Sequence, residues 1–182
     1  ALYYPAIIDP RVIEQQLPQA LQASVRESLQ YYRQGNAFEA LAALEALDQN
    51  TLSAQLLTYR AGLYLTLGRV AEARHDIAQA LQLQPNDSEA YALQAIIAVV
   101  QNDKVAALQL AEQAVNADRT SPTARLALSY AYQAHFQIEE ALASVEEALR
   151  LDGKNALVWA RLSELQMSTG YLDRALESAQ QA

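Results

Sequence analysis

Alanine recurs at Ala73, Ala107, Ala141 and Ala175, each thirty-four residues after the last. A second alanine follows each by seven residues, at Ala80, Ala114, Ala148 and Ala182. A fixed period of this length constrains a fold more than any local propensity, because each unit must bury one face against the next. Seven residues are two helical turns, so paired alanines share a helix face, where small side chains let a neighbouring helix approach closely. Upstream, Ala40 continues the series at a thirty-three-residue step, with Leu47 replacing the second alanine.

A second helical pattern lies between the alanine helices, as in ALVWARLSELQMSTGYLDRALESAQQA, where Trp159, Leu162 and Gln166 share a face. Gly35, Gly68 and Gly170 occupy one repeat position between two apolar-periodic runs, held by Asn102 and Phe136 in the remaining units. Glycine, and less readily asparagine, supplies the left-handed backbone that ends one helix and starts another. With only five glycines and five prolines, the chain favours helix elsewhere. The period predicts first helices over 21–34, 54–67, 88–101, 122–135 and 156–169. Second helices are predicted over 37–49, 70–83, 104–117, 138–151 and 172–182. Asp87 or Ser88 is expected to cap one first helix, and Ser121 before Pro122 another.

These features resemble the tetratricopeptide repeat (TPR) family, a helix–turn–helix unit of thirty-four residues. The family's large residue early in the first helix appears as Leu57, Tyr91 and Trp159. Its small residue appears as Ser28, Ala61, Ala95, Ser129 and Ser163, and its next aromatic as Tyr31, Tyr64 and Tyr132. Ala98 and Gln166 depart from the aromatic position, and of the junction prolines only Pro85 is present, with Arg119 and Gly153 elsewhere. The resemblance implies an all-α, right-handed α-solenoid of five units, at 21–53, 54–87, 88–121, 122–155 and 156–182. Residues 1–20 precede it as an extended segment and a short helix. The missing initiator methionine suggests an excised piece, with the array expected to continue past Ala182.

The formal net charge is −8 and no basic cluster occurs, which argues against a nucleic-acid partner, whose phosphates need Lys and Arg. No apolar run reaches the ~20 residues a spanning helix requires, so direct membrane insertion is not expected. There is no cysteine, hence no disulfide or thiolate metal site. His75 and His135 lie in different repeats and read as a surface and a helix-end residue. Glu139–Glu140 and Glu146–Glu147 are adjacent pairs, which on a helix point about 100° apart and read as solvated faces. No glycine-rich phosphate loop is present. The expectation is a non-enzyme without cofactor or metal, whose partner is a protein or peptide segment.

The TPR resemblance implies that the fifth, ninth, twelfth and thirteenth residues of each unit face a concave groove. These are Val25, Leu29, Tyr32 and Arg33, then Thr58, Gly62, Leu65 and Thr66, then Ala92, Ile96, Val99 and Val100. Leu126, Tyr130, Gln133 and Ala134 follow, then Ala160, Glu164, Met167 and Ser168. The lysine–asparagine clamp that some TPR domains use to grip a carboxylate is absent: its positions hold Val25/Leu29, Thr58/Gly62 and Ala92/Ile96. The groove is expected to be an apolar and aromatic floor centred on Leu65, Ile96, Val99, Leu126 and Tyr130, each of which could instead be core. The function expected is binding of a hydrophobic or aromatic segment, the alternative a spacer or self-association module joining domains of a larger protein.

Both ends carry uncovered apolar residues. ALYYPAIIDP opens the chain; Pro5 disfavours helix there, Asp9 caps a short helix beginning at Pro10 and running to about Leu17, and Ile8 and Ile13 have staple spacing. Leu2, Tyr3, Tyr4, Ile7 and Ile8 need a cover, either the groove of an array or the outer helices of the first repeat. At the other end, Leu172, Leu176 and Ala179 are expected to form an apolar edge through which the chain self-associates. ALYYP also resembles the junction after a FecR-like domain in bacterial envelope proteins, which favours the periplasm over the cytoplasm.

Overall fold

The computed structural model describes residues 2–9, 11, 13, 19, 21–48 and 52–182. Among them are ten α-helices and no strand. They fall into two compact units, Ala1–Asp87 and Ser88–Ala182. The first holds α1 (Gln22–Arg33), α2 (Ala37–Glu45), α3 (Ala54–Thr66) and α4 (Val70–Leu83). The second holds α5 (Ser88–Val100), α6 (Lys104–Ala117), α7 (Pro122–Ala134), α8 (Ile138–Leu151), α9 (Ala156–Ser168) and α10 (Leu172–Gln181). Consecutive helices pair as hairpins, and in the second unit α7 packs on both α5 and α6. The fold class is the all-α, right-handed solenoid of helix–turn–helix repeats.

The alanine period sets the hairpin contacts. Ala40, Ala73, Ala107 and Ala141 have no exposed surface, nor do Ala80, Ala114 and Ala148. The small residue of the facing helix meets them: Ser28 Oγ donates to the Ala40 carbonyl at 2.6 Å, and Ser163 Oγ to the Ala175 carbonyl at 2.7 Å. These hydroxyls satisfy themselves on a carbonyl that close packing brings within reach.

All five hairpin turns use a left-handed residue, with φ of +76°, +74° and +82° at Gly35, Gly68 and Gly170, +61° at Asn102 and +62° at Phe136. Each closes as a Schellman motif; Asn36 N–H donates to the Tyr31 carbonyl at 2.9 Å, and Gln137 N–H to the Tyr132 carbonyl at 3.0 Å. The phase of the repeat therefore overrides the reluctance of phenylalanine to adopt this backbone. Lys104 Nζ lies 4.7 Å from the Phe136 ring centre, and the His135 ring nitrogen Nε2 is 2.9 Å from the Lys104 carbonyl.

Helix starts follow side-chain chemistry. Ser53, Asp103, Ser121 and Asn155 each accept a backbone N–H of the first turn, and Pro122 follows Ser121. Ser88 differs from expectation: it begins α5 itself, and its hydroxyl donates to the Ala114 carbonyl at 2.8 Å. Helix α2 ends at Glu45, earlier than the expected 49, and residue 49 lies outside the described residues. Most of the expected helix from Pro10 to Leu17 is also outside them; Arg11 and Ile13 have helical-turn backbone, and Arg11 N–H donates to Asp9 Oδ1 at 2.9 Å.

Candidate functional site

In the first unit, α3 reads AQLLTYRAGLYLT and buries ten of its thirteen residues. A helix apolar almost all round has to be covered almost all round. One cover is the N-terminal segment. Tyr4, Ile7 and Ile8 are buried, and a Cβ built on Gly62 would lie 3.3 Å from Ile8 Cγ1. Gly62 has a helical backbone, so its value here is space: it admits Ile8 against the helix. Asp9 is also buried, and Arg11 Nε donates to its Oδ2 at 2.8 Å. Of the five residues expected to need cover, Leu2 and Tyr3 stay in water, at 61 % and 80 % exposure. Three buried side chains rather than five contribute about 5–9 kcal/mol before the cost of ordering the segment.

Tyr32 and Tyr59 meet edge-on beside this contact, ring centres 6.2 Å apart, with the Tyr59 hydroxyl 3.2 Å from Ser28 Oγ. Burial pushes the Tyr59 phenol up to about 12, against a smaller lowering by the Ser28 hydrogen bond. The Tyr32 phenol is also raised, first by burial and then by the Asp9 carboxylate. Thr58 is buried with its hydroxyl 2.8 Å from the Ala54 carbonyl and 3.2 Å from Asp87 Oδ2.

Seven of the expected groove residues are therefore core rather than open lining: Val25, Leu29, Thr58 and Leu65 in the first unit, Ala92, Ile96 and Leu126 in the second. The cause is visible in α3 and α5, whose near-continuous apolar sequence draws neighbours onto every side. Tyr32, Val99, Val100 and Tyr130 keep part of their surface, and Met167 is 59 % exposed.

Around Tyr130 the second unit is polar rather than apolar. The buried Arg161 guanidinium carbon sits 3.7 Å from the Tyr130 ring centre. Arg161 donates to Ser129 Oγ at 3.0 Å, the Ser129 carbonyl at 3.3 Å, Gln133 Oε1 at 2.9 Å and Glu164 Oε2 at 3.1 Å. Tyr130 Oη donates to the same Glu164 oxygen at 3.2 Å. This cluster was not anticipated from the sequence.

Nor was the first unit's buried ion pair, in which Arg60 Nε and Nη2 reach the two Asp76 oxygens at 2.6 and 2.8 Å. A readable signal existed, because Arg60 is the lone charge in α3. The pair borders a cavity of about 530 Å³ with Glu45, Tyr64, Glu72 and His75. Arg69, beside it, bonds Glu45 at 3.0 Å and Glu72 at 2.8 Å, so each carboxylate of the cluster has a guanidinium partner. No grouping among the described residues could hold a metal ion, and none of their helices is long and apolar enough to cross a membrane. Glu139, Glu140 and Glu146 are exposed, and Glu147 pairs with Arg150.

The architecture is similar to that of TPR solenoids, and comparison with known proteins agrees. Residues 54–87 match the family model described as tetratricopeptide repeat. A thermophilic TPR protein of Thermus thermophilus, TTC0263, is 24 % identical, with 87 % of each chain covered and a TM-score of 0.74. MamA from Desulfovibrio magneticus is 20 % identical over 90 % of this chain and 93 % of its own, at a TM-score of 0.55. No curated protein matches the sequence significantly. At these identities the likeness is one of fold.

Proposed function

We propose that the protein is a non-catalytic interaction scaffold whose first-helix side takes an extended hydrophobic or aromatic protein segment. The observation that carries this reading is the seating of Ile8 on Gly62: the first unit accommodates an apolar segment that is neither helix nor strand, at a position the TPR resemblance assigns to a groove. The pairing of every carboxylate in both polar clusters with a guanidinium, and the lack of a nucleophile–base pair within them, favour binding over catalysis. The test is selection of displayed octapeptides against the intact chain. The expected outcome is enrichment of apolar–aromatic sequences whose binding weakens when Tyr32→Ala or Gly62→Leu is introduced. Selection of nothing, or of peptides indifferent to both changes, would sink it.

A second reading, self-association, is favoured by α10, where Leu172 and Leu176 are exposed and only Ala175 and Ser178 are buried. A cleft of about 410 Å³ beside it is lined by Trp159, Leu162, Gln166 and Arg174. An unpartnered apolar helix face of this kind suits a second protein surface. Sedimentation of the parent and of Leu172→Lys/Leu176→Glu separates the outcomes, a strict monomer for both counting against it. Use of the array as a spacer between flanking domains is the remaining alternative. The FecR-like resemblance of ALYYP has no support among the matched proteins.

A further inference from the structure

The N-terminal segment has an unusual kind of attachment. Residues 2–9 form neither helix nor strand, and among the described residues no backbone–backbone hydrogen bond ties them to the helices. Their hold comes from side chains: Tyr4, Ile7, Ile8 and Asp9 are buried while Leu2 and Tyr3 project into water. An added strand would be held by a ladder of main-chain bonds; a segment held by four buried side chains and a tight fit on one glycine has far less to break when it leaves. Leu2 and Tyr3 are the part of the segment with the least hold, and separation would begin there.

Gly62 makes the fit selective. Its missing Cβ leaves a notch, and Ile8, with Cγ1 3.3 Å from the point a Cβ would occupy, fills it. A β-branched side chain is broad near the backbone, which suits a shallow notch on a helix surface better than a long flexible chain does. On the reading above, that this side of the unit is a binding surface, we infer that residues 4–8 are a built-in occupant of the first unit's peptide site. The partner that displaces them is an extended apolar segment placing a β-branched residue on Gly62. The site is thus closed in the resting chain, and a partner binds at the apparent affinity set by the fraction of chains whose own segment has lifted away.

The occupant supplies its own probe, a fluorescently labelled synthetic peptide of residues 2–9, LYYPAIID. Ile8→Asp in the intact chain removes the apolar plug, and the labelled peptide should then bind at least about tenfold more tightly than it does to the parent. Adding Gly62→Leu to that variant should abolish the gain by filling the notch. An Ile8→Asp chain with parental circular dichroism that does not bind the peptide overturns the inference. A second measurement serves if that variant fails to fold. Because the chain contains no cysteine, Ile7→Cys introduces a single buried thiol. Excess peptide should speed its reaction with a thiol reagent several-fold, and a rate indifferent to the peptide overturns the inference equally. Display-selected peptides that still bind while LYYPAIID does not would leave the scaffold reading standing and remove only self-occupancy.

Discussion

Replacing Gly62 by alanine sets two effects of known size against each other. Glycine inside a helix costs about 0.8–1 kcal/mol relative to alanine, so the change should stabilise an uncovered α3 by about that amount. Here the new methyl carbon would stand 3.3 Å from Ile8 Cγ1 and 3.7 Å from Ile8 Cβ, so Ile8 must shift by a few tenths of an ångström. Overpacking of a buried contact typically costs about 1–3 kcal/mol, less where the neighbour can yield, so the gain should be cancelled or slightly reversed in the parent chain. Ile8→Ala deletes Cγ1, and in that background Gly62→Ala should recover the full ~1 kcal/mol. Urea unfolding of the four chains, followed by far-UV circular dichroism, gives the coupling directly from midpoint shifts at constant slope. Additive effects, with Gly62→Ala stabilising the parent by ~1 kcal/mol, would falsify the placement of Ile8 over this helix.

Asp76→Ala leaves the Arg60 guanidinium buried and unpaired and should destabilise by about 3–5 kcal/mol, whereas Arg60→Met with Asp76→Leu should come close to the parent in the same urea assay. Phe136→Gly removes a side chain from a left-handed turn where it is 82 % exposed, and should raise stability by about 1 kcal/mol in thermal melts. Tyr59 keeps its phenol proton in the native state up to about pH 12, against 10.0 for an ordinary tyrosine. Between those values the unfolded chain releases a proton that the native state retains, so this stabilisation is complete below pH 10 and is lost as pH rises toward 12. Denaturation midpoints across that range should fall less steeply in Tyr59→Phe.

The repeat was legible because it is enforced by backbone geometry. Ala107 and Ala141 are buried where the period puts them, and the turn position forces left-handed backbone even on Phe136. The surface was less legible. Family position predicts the direction of Leu65 or Ile96 but not what lies on top of it, and the contact that covers Gly62 comes from residues far away in sequence. Charges were hard to read for a related reason. Arg161 sits three residues before Glu164, a spacing that on an isolated helix marks a solvated pair; its burial depends on Ser129 and Gln133 of another repeat. Arg60 was readable in principle, since a single charge in an otherwise uncharged helix needs a buried partner or a way out to water.

Arg161 also bears on how the second unit comes apart. In stacked repeats each hairpin touches mainly its neighbours, and a hairpin with few outside contacts tends to fray independently. One guanidinium here joins α9 to Ser129 and Gln133 on α7 and lies on the Tyr130 ring. Opening α9 therefore strands a buried cation and leaves the Ser129 and Gln133 acceptors without their donor, which sets a threshold against partial unzipping. Amide exchange should show α7 and α9 sharing one opening free energy, with α10, exposed along most of its length, opening below it. Arg161→Leu should split that single cooperative block into two.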